Sequence, residues 1–223
     1  MLTVILSPVK RQYHDMSVAL MYIDADTDMN SPVDADWNGY FASMTMTQLM
    51  ARPGAIIDTE TDPVLSGEKL CDDANTVFFG TNLLHPGNKR EHLEYLNDEH
   101  FKVISSKVVA AHPEACAYEA LQHLERNQLD AFWVHFDVDA IDPGEFLLAN
   151  IPNFTGVKFE KMMQALEVFM ARDRIVGLTV TEVNPDHDPD LTMTTRLTNG
   201  VVAMLGRRER LNSSKEFRTV ARH

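Results

Sequence analysis

Cysteine is scarce in this chain of 223 residues, which has only two. Cys71 and Cys116 lie far apart and match neither a zinc-ligand spacing nor a disulfide framework. No stretch reaches the roughly 18 consecutive apolar residues that a membrane helix needs. The amino terminus carries neither the basic region nor the cleavage site of a signal peptide. These absences predict a cytoplasmic protein, because free cysteines suit a reducing compartment, and argue against a membrane partner.

Positive charge is also in short supply. The 33 Asp and Glu residues outnumber the 20 Lys and Arg residues, so the formal net charge is −13. Such a chain repels a phosphate backbone, which excludes nucleic acid as an expected partner. An excess of carboxylates is instead suited to the binding of cations.

Short apolar runs alternate with stretches of helical periodicity, a pattern typical of βαβ units and a parallel sheet. Strands are predicted at residues 18–23, 76–79, 102–104, 131–136 and 175–180. Helices are predicted at residues 88–97, 113–126, 159–172 and 192–205, the last ending before Gly206. We therefore predict a single α/β domain over residues 1–223, with a core at about 16–206 and a polar tail at 207–223.

Acidic residues cluster where two of these strands end. Asp24, Asp26 and Asp28 follow the first strand, and Asp137 and Asp139 follow the fourth. Ligands of open parallel sheets bind at the carboxyl ends of the strands, so these side chains are expected in one crevice. Crowded carboxylates repel one another unless cations neutralise them, and oxygen-rich sites favour Mn²⁺, Mg²⁺ or Ca²⁺. A single Asp would indicate a turn or a helix cap, but two dense clusters favour a metal site.

A third acidic strand end carries Glu182, followed by Asn184 and Pro185. Alone it would indicate a turn, but beside the two Asp clusters it suggests another carboxylate that faces the crevice. His187, in the next loop, is either a proton carrier or a solvated loop residue. His135 is predicted to lie beneath the sheet and to make a structural hydrogen bond.

These segments resemble the signature motifs of the arginase/agmatinase (ureohydrolase) family. Asp-Ala-Asp-Thr-Asp at 24–28 resembles the family's Asp-Ala-His-x-Asp, and Phe-Asp-Val-Asp-Ala-Ile-Asp-Pro at 136–143 resembles its Phe-Asp-Val-Asp-x-x-Asp-Pro. Glu-Val-Asn-Pro at 182–185 resembles its Glu-x-Asn-Pro. The order and spacing also match, from about residue 19 to residue 206.

The resemblance implies a three-layer α/β/α sandwich with a mainly parallel sheet. Because few residues precede the first predicted strand, the family's first strand is expected to be either absent or supplied otherwise. It implies a hydrolase in which two Mn²⁺ ions, or alternatively Mg²⁺, share a bridging hydroxide. That hydroxide would cleave a linear guanidino compound to urea and an amine. Oligomers of such enzymes are trimers or hexamers, so a homo-oligomer is expected.

Residue roles follow from the same resemblance. Asp24 and Asp137 correspond to the bridging metal ligands, Asp28 completes one metal position, and Asp26 and Asp139 complete the other. Glu182 corresponds to the carboxylate that pairs with the guanidinium, and Asn38 is expected to contact the substrate. The expected catalytic residues are Asp139 and Glu182 from the resemblance and His187 from its position in the loop after Pro185.

The chain departs from the family pattern at three places. The Gly-Gly-x-His-Ser segment that supplies a metal-binding His is absent, Asp26 replaces a second His, and Ala42 lies where the family has His or Asp. One metal position is therefore expected to be weak or absent. Three functions remain open: an amidinohydrolase, a metal-binding but catalytically impaired homologue with a structural or regulatory role, and a metal hydrolase with an altered substrate.

Overall fold

The computed structural model describes residues 17–37, 39–56 and 69–220, with side chains as far as Glu209. Its sheet has five strands, each within two residues of its predicted bounds: β1 (Val18–Ile23), β2 (Thr76–Thr81), β3 (Lys102–Ser105), β4 (Ala131–Asp137) and β5 (Ile175–Thr181). The predictions succeeded because each strand is a short apolar run, and β1, β2 and β4 are buried almost throughout.

All neighbouring strands are parallel, in the order β3-β2-β1-β4-β5. The chain builds outward from β1 to β2 and β3, then returns to the other side of β1 for β4 and β5. The boundary between β1 and β4 is therefore the topological switch point, where open α/β sheets bind their ligands.

Helices cover both faces of the sheet. They are α1 (Thr45–Leu49), α2 (Arg90–Asp98), α3 (Ser106–Ala111), α4 (Pro113–Arg126), α5 (Phe159–Met170) and α6 (Thr192–Val220). Met21 and Ile23 of β1 belong to the core that α3 to α6 complete. The alternate residues Leu20 and Tyr22 join a second core with α1 and α2. The predicted α/β/α sandwich is thus confirmed.

The predicted end of the last helix at Gly206 was wrong, because α6 continues to Val220. A glycine inside a helix costs about 1 kcal/mol, which nearby contacts readily offset. Arg207 pairs with Glu167 of α5 at 2.9 Å, and Arg208 donates to the carbonyl oxygen of Ile175. The start of the supposed tail therefore packs on the fold, while the division into one domain stays a prediction. No helix in the described part of the chain is long and apolar enough to cross a membrane.

Strand β5 forms an open edge of the sheet. Most of its side chains are half-buried, and in the described part of the chain no strand pairs with its outer side. Thr179 and Thr181 lie on this strand and face a cavity beside β4. The edge strand thus supplies one wall of the candidate site.

Candidate metal centre

The register of β1 and β4 brings the two Asp clusters together. Ile23 pairs with Phe136, so Asp24 and Asp137 are adjacent at the carboxyl ends of neighbouring strands. Asp24 is 3% exposed and Asp137 is 7% exposed. The sequence therefore predicted correctly that these two clusters meet in one crevice.

Hydrogen bonds fix the turn at each strand end. Asp24 Oδ1 accepts from the backbone N–H of Asp26 at 2.7 Å, and Asp137 Oδ1 accepts from that of Asp139 at 3.1 Å. Asp139 Oδ1 accepts from the N–H of Ala25 at 3.1 Å, which ties the second turn to the first. Each Asp-x-Asp segment thus orients its own carboxylates before any ligand binds.

Asp28 is held in an uncommon backbone conformation. Its φ of +47° lies in the left-handed region, which non-glycine residues rarely occupy. The hydroxyl of Tyr22 donates to Asp28 Oδ2 at 2.6 Å. Strain of this kind persists where the surrounding structure requires it, and it concentrates at functional sites.

The electrostatics of the cluster disfavour full ionisation. Burial raises the pKa of Asp24 well above its usual value, and the charges of Asp139 and Asp28 raise it further. Burial likewise raises the pKa of Asp137 to about 6. The pKa of Asp139 is raised well above the usual value, first by burial and then by Asp137. A divalent cation would relieve this repulsion, so the donor set fits metal ions that prefer oxygen ligands.

The loop after β2 supports the first cluster, which sequence reasoning did not anticipate. Asn88 Oδ1 accepts from the N–H of Thr27 at 2.7 Å, and its amide donates to the carbonyl of Ala25 at 2.8 Å. His85 Nδ1 lies 2.9 Å from Asp26 Oδ1. Burial raises the pKa of Asp26, although this contact with His85 opposes the shift. No local motif signals these residues, because they lie about 60 positions from the carboxylates.

His135 also belongs to the cluster. One ring nitrogen of His135 and carboxylate oxygens of Asp24 and Asp137 lie within 4.8 Å of one another. The predicted hydrogen bond is present, since Nδ1 lies 2.9 Å from Thr179 Oγ1. Burial lowers the pKa of His135 to about 4, so the ring is neutral at pH 7. The missed signal was the alternation of side chains along a strand. His135 precedes Asp137 by two residues, so both side chains lie on the same face of the sheet.

Two cavities, of 460 and 480 Å³, open onto this cluster and share four lining residues: Asp28, Ala42, Asp137 and Glu182. Glu182 follows β5 with a φ of +60°, and its Oε2 accepts from the N–H of Asn150 at 3.2 Å. The third acidic strand end therefore faces the same crevice. Ala42 lines both cavities, so the segment in which the resemblance predicts a His or Asp borders the site.

The remaining predicted site residues are less central. His187 lies in a short 3₁₀ helix, with Nδ1 3.1 Å from the carbonyl oxygen of Ala149. It is exposed and is not one of the described residues that line either cavity. Asn184 donates to Asn150 Oδ1 at 2.7 Å, which braces the loop beneath Glu182. Asn38 lies outside the described residues.

Sequence comparison decides the family. The arginase-family profile matches residues 3–206, which is most of the chain. The chain belongs to the arginase family. A search of curated proteins found no match.

Solved structures of this family share the fold. An arginase from Bacillus cereus superposes with a TM-score of 0.74 at 19% identity, covering 91% of this chain and 65% of that one. Formimidoylglutamase from Bacillus subtilis gives a TM-score of 0.66 at 14% identity, with 91% and 56% covered. Proclavaminate amidino hydrolase from Streptomyces clavuligerus gives 0.64 at 21% identity, with 90% and 58% covered. The chain therefore spans less than two thirds of the length of each of these three proteins.

Proposed function

We propose that the chain is a metal-dependent hydrolase of the ureohydrolase type, which cleaves a linear guanidino compound to urea and an amine. The observation that carries this proposal is the convergence of acidic side chains from three strand ends on one crevice. Membership of the arginase family supports the same reaction class. The neighbouring structures include an amidino hydrolase, which acts on the same kind of carbon–nitrogen bond.

The metal ligands in this proposal are the five aspartates of the two clusters: Asp24, Asp26, Asp28, Asp137 and Asp139. We propose Mn²⁺ as the cation, with Mg²⁺ as an alternative, at two positions of which one is weaker. Bound cations lower the pKa of water and stabilise negative charge that develops on the substrate. Because Asp26 replaces a nitrogen ligand with an oxygen ligand, selectivity for Mn²⁺ over Mg²⁺ should be reduced.

Glu182 is proposed to bind the guanidinium group. Its carboxylate can accept two parallel N–H bonds from a planar guanidinium, which fixes the orientation of the substrate. The hydrogen bond from the Asn150 N–H holds one of its oxygens in place. Glu182 lines both cavities together with Asp137, so a guanidinium bound there would lie next to the metal ligands. Asn38 and Asp139 keep their sequence-predicted roles as proposals, and both interpretations of His187, as a proton carrier or as a solvated loop residue, stay open.

The second candidate is a metal-binding homologue that is catalytically impaired and has a structural or regulatory role. Ala42 favours it, because a methyl group at the cavity wall can neither transfer a proton nor form a hydrogen bond with a substrate. A cytoplasmic location and a trimeric or hexameric assembly also remain predictions.

Urea release separates the two candidates. The Mn²⁺-loaded chain would be assayed with arginine, agmatine, guanidinobutyrate and related compounds, beside Asp137→Asn and the exposed control Asp186→Asn. We expect urea from at least one compound, no urea from Asp137→Asn, and unchanged activity in Asp186→Asn. Tight Mn²⁺ binding without urea from any compound would instead support the impaired homologue.

A further inference from the structure

We propose that His135 is a metal ligand, and that it gives the cluster an imidazole nitrogen from strand β4. The inference rests on the proposed function, since it assigns a ligand to the same metal centre. Sequence motifs point to aspartates alone, and two histidine positions of the family pattern are not met by this chain. The structure shows an imidazole that reaches the cluster from a different place.

Distance is the first support. A ring nitrogen of His135 and oxygens of Asp24 and Asp137 lie within 4.8 Å of one another. Three ligand atoms bound to one cation at about 2.0–2.2 Å are separated by no more than about 4.4 Å. A small adjustment of side chains therefore brings all three atoms into coordination range.

The hydrogen bonding of the ring is the second support. Nδ1 is engaged with Thr179 Oγ1 at 2.9 Å, whereas the other ring nitrogen, Nε2, has no hydrogen-bond partner in the part of the chain that the structure describes. Histidines that bind metals use one nitrogen for the metal and donate the other N–H to a neighbouring oxygen, which fixes the tautomer and the ring orientation. The contact of Nδ1 with Thr179 therefore leaves Nε2 as the ring nitrogen for a cation.

The packing of the ring is the third support. Tyr22 stacks on His135 with centroids 4.8 Å apart and an interplanar angle of 15°. The hydroxyl of the same Tyr22 donates to Asp28, a proposed ligand. One aromatic side chain thus restrains the imidazole plane and a carboxylate together, and His135 is 5% exposed. The ring is preorganised beside the cluster, as metal centres require.

The experiment detects the nitrogen directly. The full chain would be loaded with less than one equivalent of Mn²⁺, and ¹⁴N electron spin-echo modulation would report imidazole coordination. His135→Asn is the informative variant, because the Asn side chain can still reach Thr179 but lacks an atom at the Nε2 position. His85→Asn is the matched control, since His85 contacts Asp26 from another loop.

We expect ¹⁴N coupling in the unmodified chain and in His85→Asn, and its loss in His135→Asn. The Mn²⁺ dissociation constant of His135→Asn should rise at least tenfold. Coupling that persists in His135→Asn, or that disappears only in His85→Asn, would overturn the inference. Because the unmodified chain also serves as a test, bound Mn²⁺ without any ¹⁴N coupling would overturn it even if the variant failed to fold. A chain that binds neither Mn²⁺ nor Mg²⁺ would refute the proposed function as well.

Discussion

The carboxyl ends of β1 and β4 differ sharply from the carboxyl end of β5, although the three lie side by side. At β1 and β4 the carboxylates of Asp24, Asp137 and Asp139 are buried, and each accepts a hydrogen bond from a backbone N–H. At β5 the strand is half exposed, and Glu182 borders open cavities. The difference indicates that the buried half of the site, which holds proposed metal ligands, is preorganised. The open half, which holds the proposed guanidinium-binding residue Glu182, depends on the edge strand.

Substitutions in the buried half should have the largest effect on ligand binding. We expect Asp24→Asn to weaken Mn²⁺ binding more than about a hundredfold, because loss of even an outer-shell partner costs about 10–100-fold. Isothermal titration of the chain with Mn²⁺ measures this change. The exposed Asp186→Asn variant should bind Mn²⁺ as tightly as the unmodified chain does. A Mn²⁺ dissociation constant of Asp24→Asn within threefold of that of the unmodified chain would contradict the assignment of Asp24 as a metal ligand.

A smaller and selective effect is expected at the open half. Glu182→Gln should weaken binding of a guanidino compound by about 10–100-fold, because a charge-assisted hydrogen bond contributes about 1.5–3 kcal/mol. Its Mn²⁺ affinity should change less than threefold, since Glu182 is not a proposed ligand. Inhibition constants for the best guanidino compound, measured beside the exposed control Glu145→Gln, test the expectation. If Glu182→Gln lost Mn²⁺ affinity and guanidinium affinity to the same extent, the two halves of the site would not have separate roles.

Without bound metal, the crowded carboxylates should lower the free energy of unfolding as the pH rises. Burial raises the folded-state pKa of Asp137 from 3.8 to about 6, so its contribution to stability is present below pH 3.8 and is lost as the pH rises through about 6. Asp137→Asn has no such loss. In the presence of a chelator and above pH 6, the free energy of unfolding of Asp137→Asn should therefore exceed that of the unmodified chain by up to about 3 kcal/mol. At pH 4 the two free energies should differ little.

Denaturant unfolding at several pH values checks this sign. Added Mn²⁺ should reverse the order at pH 7.5, because the unmodified chain gains stability from binding and the variant does not. A stability difference that stays constant between pH 4 and pH 7.5 would argue against an ionised, uncompensated Asp137.

The smallest effect is expected at His187. Its ring is exposed and contacts the Ala149 carbonyl, so His187→Gln should lower urea release by less than about tenfold. Direct proton transfer typically contributes about 10²–10⁴-fold. A loss of urea release in that larger range would identify His187 as the proton carrier and would contradict this expectation.

Much of the fold was predictable, because buried parallel strands leave an unambiguous pattern of short apolar runs. The meeting of Asp24 with Asp137 was predictable for the same reason, since strand ends share one edge of a parallel sheet. The end of α6 was not predictable, because Gly206 is a weak signal that the contacts of Arg207 and Arg208 override.

Supporting side chains were hidden from sequence reasoning for a different reason. Asn88 and His85 reach the first cluster from the loop after the neighbouring strand β2, and only the packing of that loop brings them there. His135 was visible but was interpreted as structural, because its hydrogen bond to Thr179 is compatible with either role. Which nitrogen remains available is a property of three-dimensional packing and not of the motif.

Gly177 has a consequence that reaches beyond its own strand. A β-carbon at this position would overlap the six-membered ring of Trp133, whose indole N–H lies 3.4 Å from Thr179 Oγ1. The same hydroxyl meets the imidazole of His135. The displacement caused by a methyl group at Gly177 would pass through Trp133 and Thr179 to His135. A substitution on the edge strand would therefore alter the candidate metal centre without changing any of its proposed ligands.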